Sequence, residues 1–194
     1  MNIKKHIHQV GRSMVEIIGV LAIIGVLSVG AIAGYSNAMT KHKLNKQTVQ
    51  FTSLLQQIFY YEKELKISTG SVLLHEMLYK LKSIPDEMIV SNKWDTYNSQ
   101  FLKDSFKNQM SIWYRGTAGY IELIYYVYNK NLDACINLYQ IAKSFDNDLS
   151  SITGFYGKES CIPSRKCLKD ATIIDFEAKC KQIFDDSGRI YFTF

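Results

Sequence analysis

Gly11-Arg12-Ser13-Met14-Val15-Glu16 runs directly into Ile17–Ala33, a stretch with no charged residue. As a helix this stretch would rise ~26 Å, close to the ~30 Å hydrocarbon core of a bilayer. One carboxylate, Glu16, stands at its mouth. Ionisable groups at membrane depth are costly and are normally retained for a function, which marks Glu16 as a functional residue whose role calls for a partner. Lys4, Lys5 and Arg12 on the N-terminal side favour leaving that end in the cytoplasm, although Lys41, Lys43 and Lys46 beyond the segment weaken the asymmetry.

The residues leave three readings open. Ala31-Ile32-Ala33 before Gly34 has the small-x-small form cut by general signal peptidase, which would release a soluble secreted binding protein beginning at Gly34. A plain signal anchor, carrying an enzyme or any other head, fits the length equally well. The third reading gives Glu16 a use. A conventional apolar signal gains nothing from a carboxylate at its mouth, whereas a helix that must find its register against other helices does.

The Gly11-Arg12 junction, Glu16 five residues into the chain that follows it, and the apolar run after them resemble the N-terminus of type IV pilins and of the pseudopilins of type II secretion. The resemblance is specific over residues 11–40 and topological beyond. It implies a leader, residues 1–11, removed by prepilin peptidase after Gly11. It also implies methylation of the new amino terminus and a filament in which Glu16 docks each subunit on its neighbour. The implied partners are identical or homologous subunits, the prepilin peptidase, an assembly platform, and the membrane before assembly. The head would lie in the periplasm, anchored in the bacterial inner membrane, and then in a periplasmic or extracellular filament. Two departures stand out: the family usually begins its mature chain with an apolar residue where this chain has Arg12, and many members have a proline near the position of Ala33. Type IVb pilins also lack that proline. Gly25 resembles the place where the family's helix loosens inside the filament, and Gly30 and Gly34 form a G-x-x-x-G.

The 194 residues suffice for one globular domain besides the apolar segment, and 47% hydrophobic with 13% aromatic content excludes a disordered chain. The net charge of +5 includes Lys4 and Lys5, so loss of residues 1–11 leaves 5 − 2 = +3. That excess is too small to argue for nucleic acid. Lys41, Lys43 and Lys46 read as a membrane-surface patch, as a DNA contact, or simply as a solvated helix face.

Leu44, Phe51, Leu54, Leu55, Ile58, Tyr61 and Leu65 recur at helical spacing, so the spacing predicts that the N-terminal helix continues to Lys66 and offers an apolar stripe to a head. Gly70 is expected to cap it in the left-handed conformation. A second helix is predicted over Ser71–Lys82, stopped by Pro85, with His75 on its polar side. Met110–Tyr114 and Tyr120–Tyr128 read as a hairpin around Gly116-Thr117-Ala118-Gly119, with Ile121, Leu123, Tyr125 and Val127 on one face. Helices are predicted over Leu132–Lys143 and Ala171–Phe184. Arg189–Phe194 reads as a strand after the Asp185-Asp186-Ser187-Gly188 turn. The expectation is an α+β fold with residues 12–66 as the membrane and assembly helix and residues 67–194 as a head built on an antiparallel sheet. This order resembles type IVb pilin heads.

Cys135, Cys161, Cys167 and Cys180 lie in the last third of the chain, and an even number behind a membrane segment suits disulfides in an oxidising compartment. A zinc site would need all four thiolates at irregular spacing, with no C-x-x-C pair. The resemblance implies a bridge enclosing the C-terminal region, hence Cys135 with Cys180 and Cys161 with Cys167. Beyond His75 the head has no histidine, and it carries no phosphate loop or dinucleotide fingerprint. No catalytic residue, metal or cofactor is expected, and the chain is read as a structural subunit.

Overall fold

The computed structural model describes residues 14–62, 70–90, 102–186 and 188–194. Gly11 and Arg12 lie outside the described residues, as do Leu65, Lys66, Trp94 and Ser187. Helix α1 spans Met14–Tyr60. Two compact units divide within it, one ending at Lys41 and the other, His42–Phe194, forming the head.

In the head, Phe51, Leu54, Leu55 and Ile58 of α1 are completely buried. Their spacing places them on one stripe, and burying each such side chain contributes ~1.5–3 kcal/mol. Phe51 meets Tyr125 and Phe192, with ring centroids 5.7 and 5.4 Å apart, while Phe59 meets Phe145 and Phe194. The stretch expected to carry the helix to Lys66 lies outside the described residues. Gly70 is not the left-handed cap anticipated for it: only Gly119, Gly154 and Gly188 among the described glycines have positive φ. Its carbonyl instead accepts from the Gly116 amide at 3.2 Å, which begins sheet pairing.

The helix expected over Ser71–Lys82 is replaced by strand β1, Ser71–Leu73, and a short helix α2, His75–Lys80. Strand β1 pairs antiparallel with Arg115, Tyr114 and Trp113, and the Leu74 amide donates to the Ile112 carbonyl at 2.8 Å. Satisfying that sheet edge outweighs the weak helix preference of Ser-Val-Leu. The later helix start changes which face His75 presents. It is fully buried, and its Nε2 accepts the Ile112 amide at 3.1 Å. Lys82, at φ 53°, turns the chain away before Pro85.

Among the described residues seven strands form one antiparallel sheet. The order is β1, β3 (Gln109–Arg115), β4 (Tyr120–Tyr126), β7 (Arg189–Thr193), β5 (Ser151–Ile152) and β6 (Phe155–Tyr156), with β2 (Leu102–Lys103) also on β3. The β3–β4 hairpin pairs Met110 with Tyr125 and Arg115 with Tyr120, and Gly119 takes φ 73° in its turn. Ile121, Leu123, Tyr125 and Val127 enter the core together with Ile190, Phe192 and Phe194, the alternation anticipated for both strands. Ile124, on the opposite side, is nonetheless only 6% exposed, because β4 is central and Ile124 lies between Ser111 and Tyr191.

Helix α3 covers Leu132–Ser144, capped by the Asn131 side chain on the Ala134 amide. Helix α4 covers Ile173–Asp185 behind a Thr172/Asp175 capping box. Their buried faces meet through Cys135 and Cys180, which are bonded with Cα atoms 6.0 Å apart. Tyr139, Phe155 and Phe176 close that layer, with ring centroids 5.2–5.4 Å apart. Cys161 and Cys167, also bonded, close a surface loop.

Candidate functional site

The first unit holds the candidate site. Met14, Val15, Ile18, Leu21, Ile23, Val26, Leu27, Val29 and Ile32 are 61–82% exposed, and Val20 and Ile24 are both 52% exposed, so among the described residues nothing covers a face of this part of α1. A helix apolar all round belongs in a bilayer or among other helices, since a soluble surface helix is apolar on one side only. Its best 18-residue window has mean hydropathy 2.5, enough to cross a membrane by length and composition. The chain therefore has a possible membrane anchor. Ser28 does not interrupt it: its hydroxyl donates to the Ile24 carbonyl at 2.7 Å, which spares the group a partner outside the helix.

Glu16 lies in the first turn of α1, where the positive end of the helix dipole favours a carboxylate. It is exposed and immediately precedes the apolar run. A side chain added at Gly19, Gly25, Gly30 or Gly34 would meet nothing within 4 Å. Each glycine costs a helix ~1 kcal/mol relative to alanine, and packing against the described residues does not account for that cost. At 100° per residue Gly19, Gly30 and Gly34 fall on one face.

The head's polar chemistry is internal. Asp104, 5% exposed, accepts on Oδ1 from the Phe106 and Asn108 amides, both at 2.9 Å. Its Oδ2 accepts from Gln47 Nε2 at 2.8 Å and from the Tyr125 hydroxyl. Asn108 Nδ2 donates to the Tyr125 oxygen at 2.8 Å, and Asn137 Nδ2 to Gln47 Oε1 at 2.9 Å. This network ties α1 to the β2–β3 loop, to β4 and to α3. Burial pushes the Asp104 carboxyl above its ordinary range, against the opposing pull of those hydrogen bonds. With all its acceptor positions engaged inside the protein, Asp104 is built to hold elements together. Sequence reasoning missed it. The available signal was Gln47 and Gln50, polar residues at core-facing positions of a stripe that contains Phe51 and Leu54.

His75 is also buried and titratable, its pKa lowered to about 4 by burial. Because Nε2 accepts a backbone hydrogen bond, the neutral ring carries its proton on Nδ1. A folded value below the unfolded ~6.5 means that the unfolded chain binds the extra proton first. His75 therefore contributes stability fully present above ~6.5 and lost as pH falls towards about 4, up to ~3 kcal/mol at ~1.4 kcal/mol per decade. Asp104, shifted upward, works in the opposite sense on acidification. The His75 share is thus read as a difference: urea unfolding at pH 7 and pH 4.5 should show a smaller acid loss in His75→Gln, whose Oε1 can still accept the Ile112 amide. Equal acid losses in the two proteins would overturn this account.

Among the described residues no group of three His, Cys, Asp or Glu side chains could hold a metal. Open grooves exist, one between Ser53 and Gln57 of α1 and the segment Tyr79–Ile89, but no buried acid or base converges on it. Gly11 and Arg12 cannot be placed beside Glu16, since they lie outside the described residues. No family model, curated protein or solved structure matches the chain. The long apolar N-terminal helix, the antiparallel sheet and the disulfides are compatible with a pilin-like fold.

Proposed function

We propose that this chain is the precursor of a filament subunit of the type IV pilin or type II secretion pseudopilin kind, processed after Gly11 and polymerised through α1. The observation that carries the reading is the first part of α1, headed by Glu16 and apolar on every face, whose side chains do not enter the core that Phe51, Leu54, Leu55 and Ile58 of the same helix help to build. Such a helix needs surroundings that the described residues do not supply. The bilayer supplies them before assembly and other copies of α1 supply them afterwards, which gives the glycine face a use in close helix approach. The head, with its disulfides, would stand on the periplasmic side of the bacterial inner membrane. Its polar groups serve packing, and we assign it no catalytic role.

Glu16 sets the register. Between apolar helices its carboxylate is desolvated, and the cation that cleavage after Gly11 creates is the amine of Arg12 on the neighbouring subunit. A misplaced stagger leaves both charges buried apart, at a cost of several kcal/mol. Mass spectrometry of the native protein tests the reading through its N-terminus. Arg12 as first residue is expected, whereas Gly34 would assign the chain to the secreted soluble proteins and Met1 to plain signal anchors. Gly11→Leu should accumulate as full-length membrane-bound precursor without filaments. Normal filaments from that variant would sink the proposal.

A further inference from the structure

We infer that the disulfide-closed loop from Cys161 to Cys167 is the knob, and the groove beside Gly119 and Tyr120 the socket, of a contact between the heads of two copies of this chain. The loop is a built tip, not slack chain. The Arg165 amide donates to the Ile162 carbonyl at 2.8 Å, closing a turn with Pro163 and Ser164 at its corner. Arg165 Nη1 donates to the Ser160 carbonyl at 3.0 Å, and its guanidinium lies 4.4 Å from the centre of the Tyr156 ring. Lys166 is ion-paired with Asp175 in the first turn of α4, directly after the exposed Ile173 and Ile174. The Tyr156 amide donates to the Lys166 carbonyl at 3.0 Å and the Leu168 amide to the Tyr156 carbonyl at 2.8 Å, which ties the loop to β6. What this braced tip offers outward is Ile162, 49% exposed, and Pro163, with the exposed cations Arg165 and Lys169 beside them.

The socket is an open groove of about 560 Å³ in the same head. Phe59, Tyr120 and Phe194 give it an apolar wall, with the Phe59 and Phe194 rings 5.2 Å apart, while Glu62, Asp148 and Glu159 give it negative charge. Among the described residues no lysine or arginine lines it. Lys158, exposed beside Glu159, is outside the lining. Asp148 and Glu159 are exposed, and neither is ion-paired with a described residue.

The occupant is argued from charge and shape within the head. Around the knob Arg165, Lys166 and Lys169 stand against one carboxylate, Asp170. Lys166 is engaged by Asp175, so Arg165 and Lys169 are the cations left for a partner, and Asp170 offsets one of them. The socket, by contrast, is lined by three acids. An apolar tip rimmed by positive charge thus matches an apolar groove rimmed by negative charge, and the tip is already folded, so little ordering entropy opposes the contact. Ile162 does not fill its own head's groove, because it lies among Cys161, Pro163, Arg165 and Lys169 and is half exposed. An unrelated acidic partner would use the knob and leave the socket idle, whereas a second copy uses both. Two different patches meeting in this way make a heterologous contact, which repeats along a filament. The inference therefore rests on the filament reading. Polymerisation through α1 raises the effective concentration of neighbouring heads to the order of millimolar, so even a contact this small is populated.

The test is a charge swap in the full chain, read as subunit in the sheared filament fraction against subunit in the membrane fraction. Arg165→Glu with Lys169→Glu should lower that ratio by at least roughly tenfold, and so should Asp148→Lys with Glu159→Lys, since each sets like charges against the partner patch. All four substitutions in one chain should restore it. Photo-crosslinking gives a second readout that does not depend on those variants folding. With p-benzoylphenylalanine in place of Ile162, irradiated filaments should yield dimers whose cross-linked peptides hold Phe59, Tyr120, Asp148 or Glu159 of the other copy. Full assembly of either charge-reversed pair, no rescue by the fourfold variant, or a cross-link to another face or to an unrelated protein overturns the contact and leaves the filament reading standing. A parent chain that forms no filaments, or whose mature N-terminus is not Arg12, overturns the filament reading itself and the contact with it.

Discussion

Glu16→Val is expected to be cleaved and inserted normally yet to be absent from filaments. Removing a charge at the lip of an apolar segment helps partitioning, so nothing before assembly should suffer. The loss comes when α1 is surrounded by its neighbours. In the proposed pairing a valine leaves the partner's amine buried without its counter-charge, and removing one member of a desolvated pair costs ~3–5 kcal/mol. At ~1.4 kcal/mol per decade each contact weakens by roughly a hundred- to a few thousandfold, repeated at every subunit. Glu16→Gln separates charge from shape, because it keeps the size and hydrogen bonding of the residue and should also fail. The measurement is the ratio of subunit in the sheared filament fraction to subunit in the membrane fraction. If Glu16→Val polymerises by itself as efficiently as the parent protein, the register argument is wrong.

The parts of the fold legible in the sequence were those with strong periodicity. The apolar segment, the Phe51–Ile58 stripe, the β3–β4 hairpin and the final strand follow from spacings of 3.6 and 2, because long amphipathic elements carry their burial pattern in their own residues. The failures share a cause. Strand β1 has three residues and exists because the edge of β3 offers it hydrogen bonds, so its conformation is decided by residues some 40 positions away. Strands β2, β5 and β6, two residues each, are equally dependent on their partners. Helix periodicity could therefore claim Ser71–Leu73, and it put His75 on the wrong face. The candidate site divides in the same way. Glu16 stood out through its local contrast with Ile17–Ala33, whereas the Asp104 network joins Gln47, Asn108, Tyr125 and Asn137 from distant segments, which no single stretch of sequence displays.

Cys135→Ser is expected to unfold the head or expose it to degradation, while Cys161→Ser should be mild. The two bridges differ in what they constrain. Cys135 and Cys180 are 45 residues apart in sequence and both are completely buried, joining α3 to α4 beneath the Tyr139, Phe155 and Phe176 rings. Closing a loop of that length removes unfolded-chain freedom worth ~4 kcal/mol in the loop-entropy model, a large share of the ~5–15 kcal/mol stability typical of a domain. Its loss also leaves a hydroxyl and a thiol facing each other in the buried α3–α4 contact. Cys161 and Cys167 are six residues apart on a loop with exposed Ile162, so their bridge restricts little chain and supports no core side chain. Thermal unfolding should therefore separate the variants, with Cys135→Ser losing a cooperative transition at growth temperature and Cys161→Ser shifting it by only a few degrees. Peptide mapping without reduction checks the premise on the native protein. A Cys135–Cys161 cross-link, or four free thiols, would refute the assignment, and equal melting of the two variants would show that the buried bridge does not hold the head together.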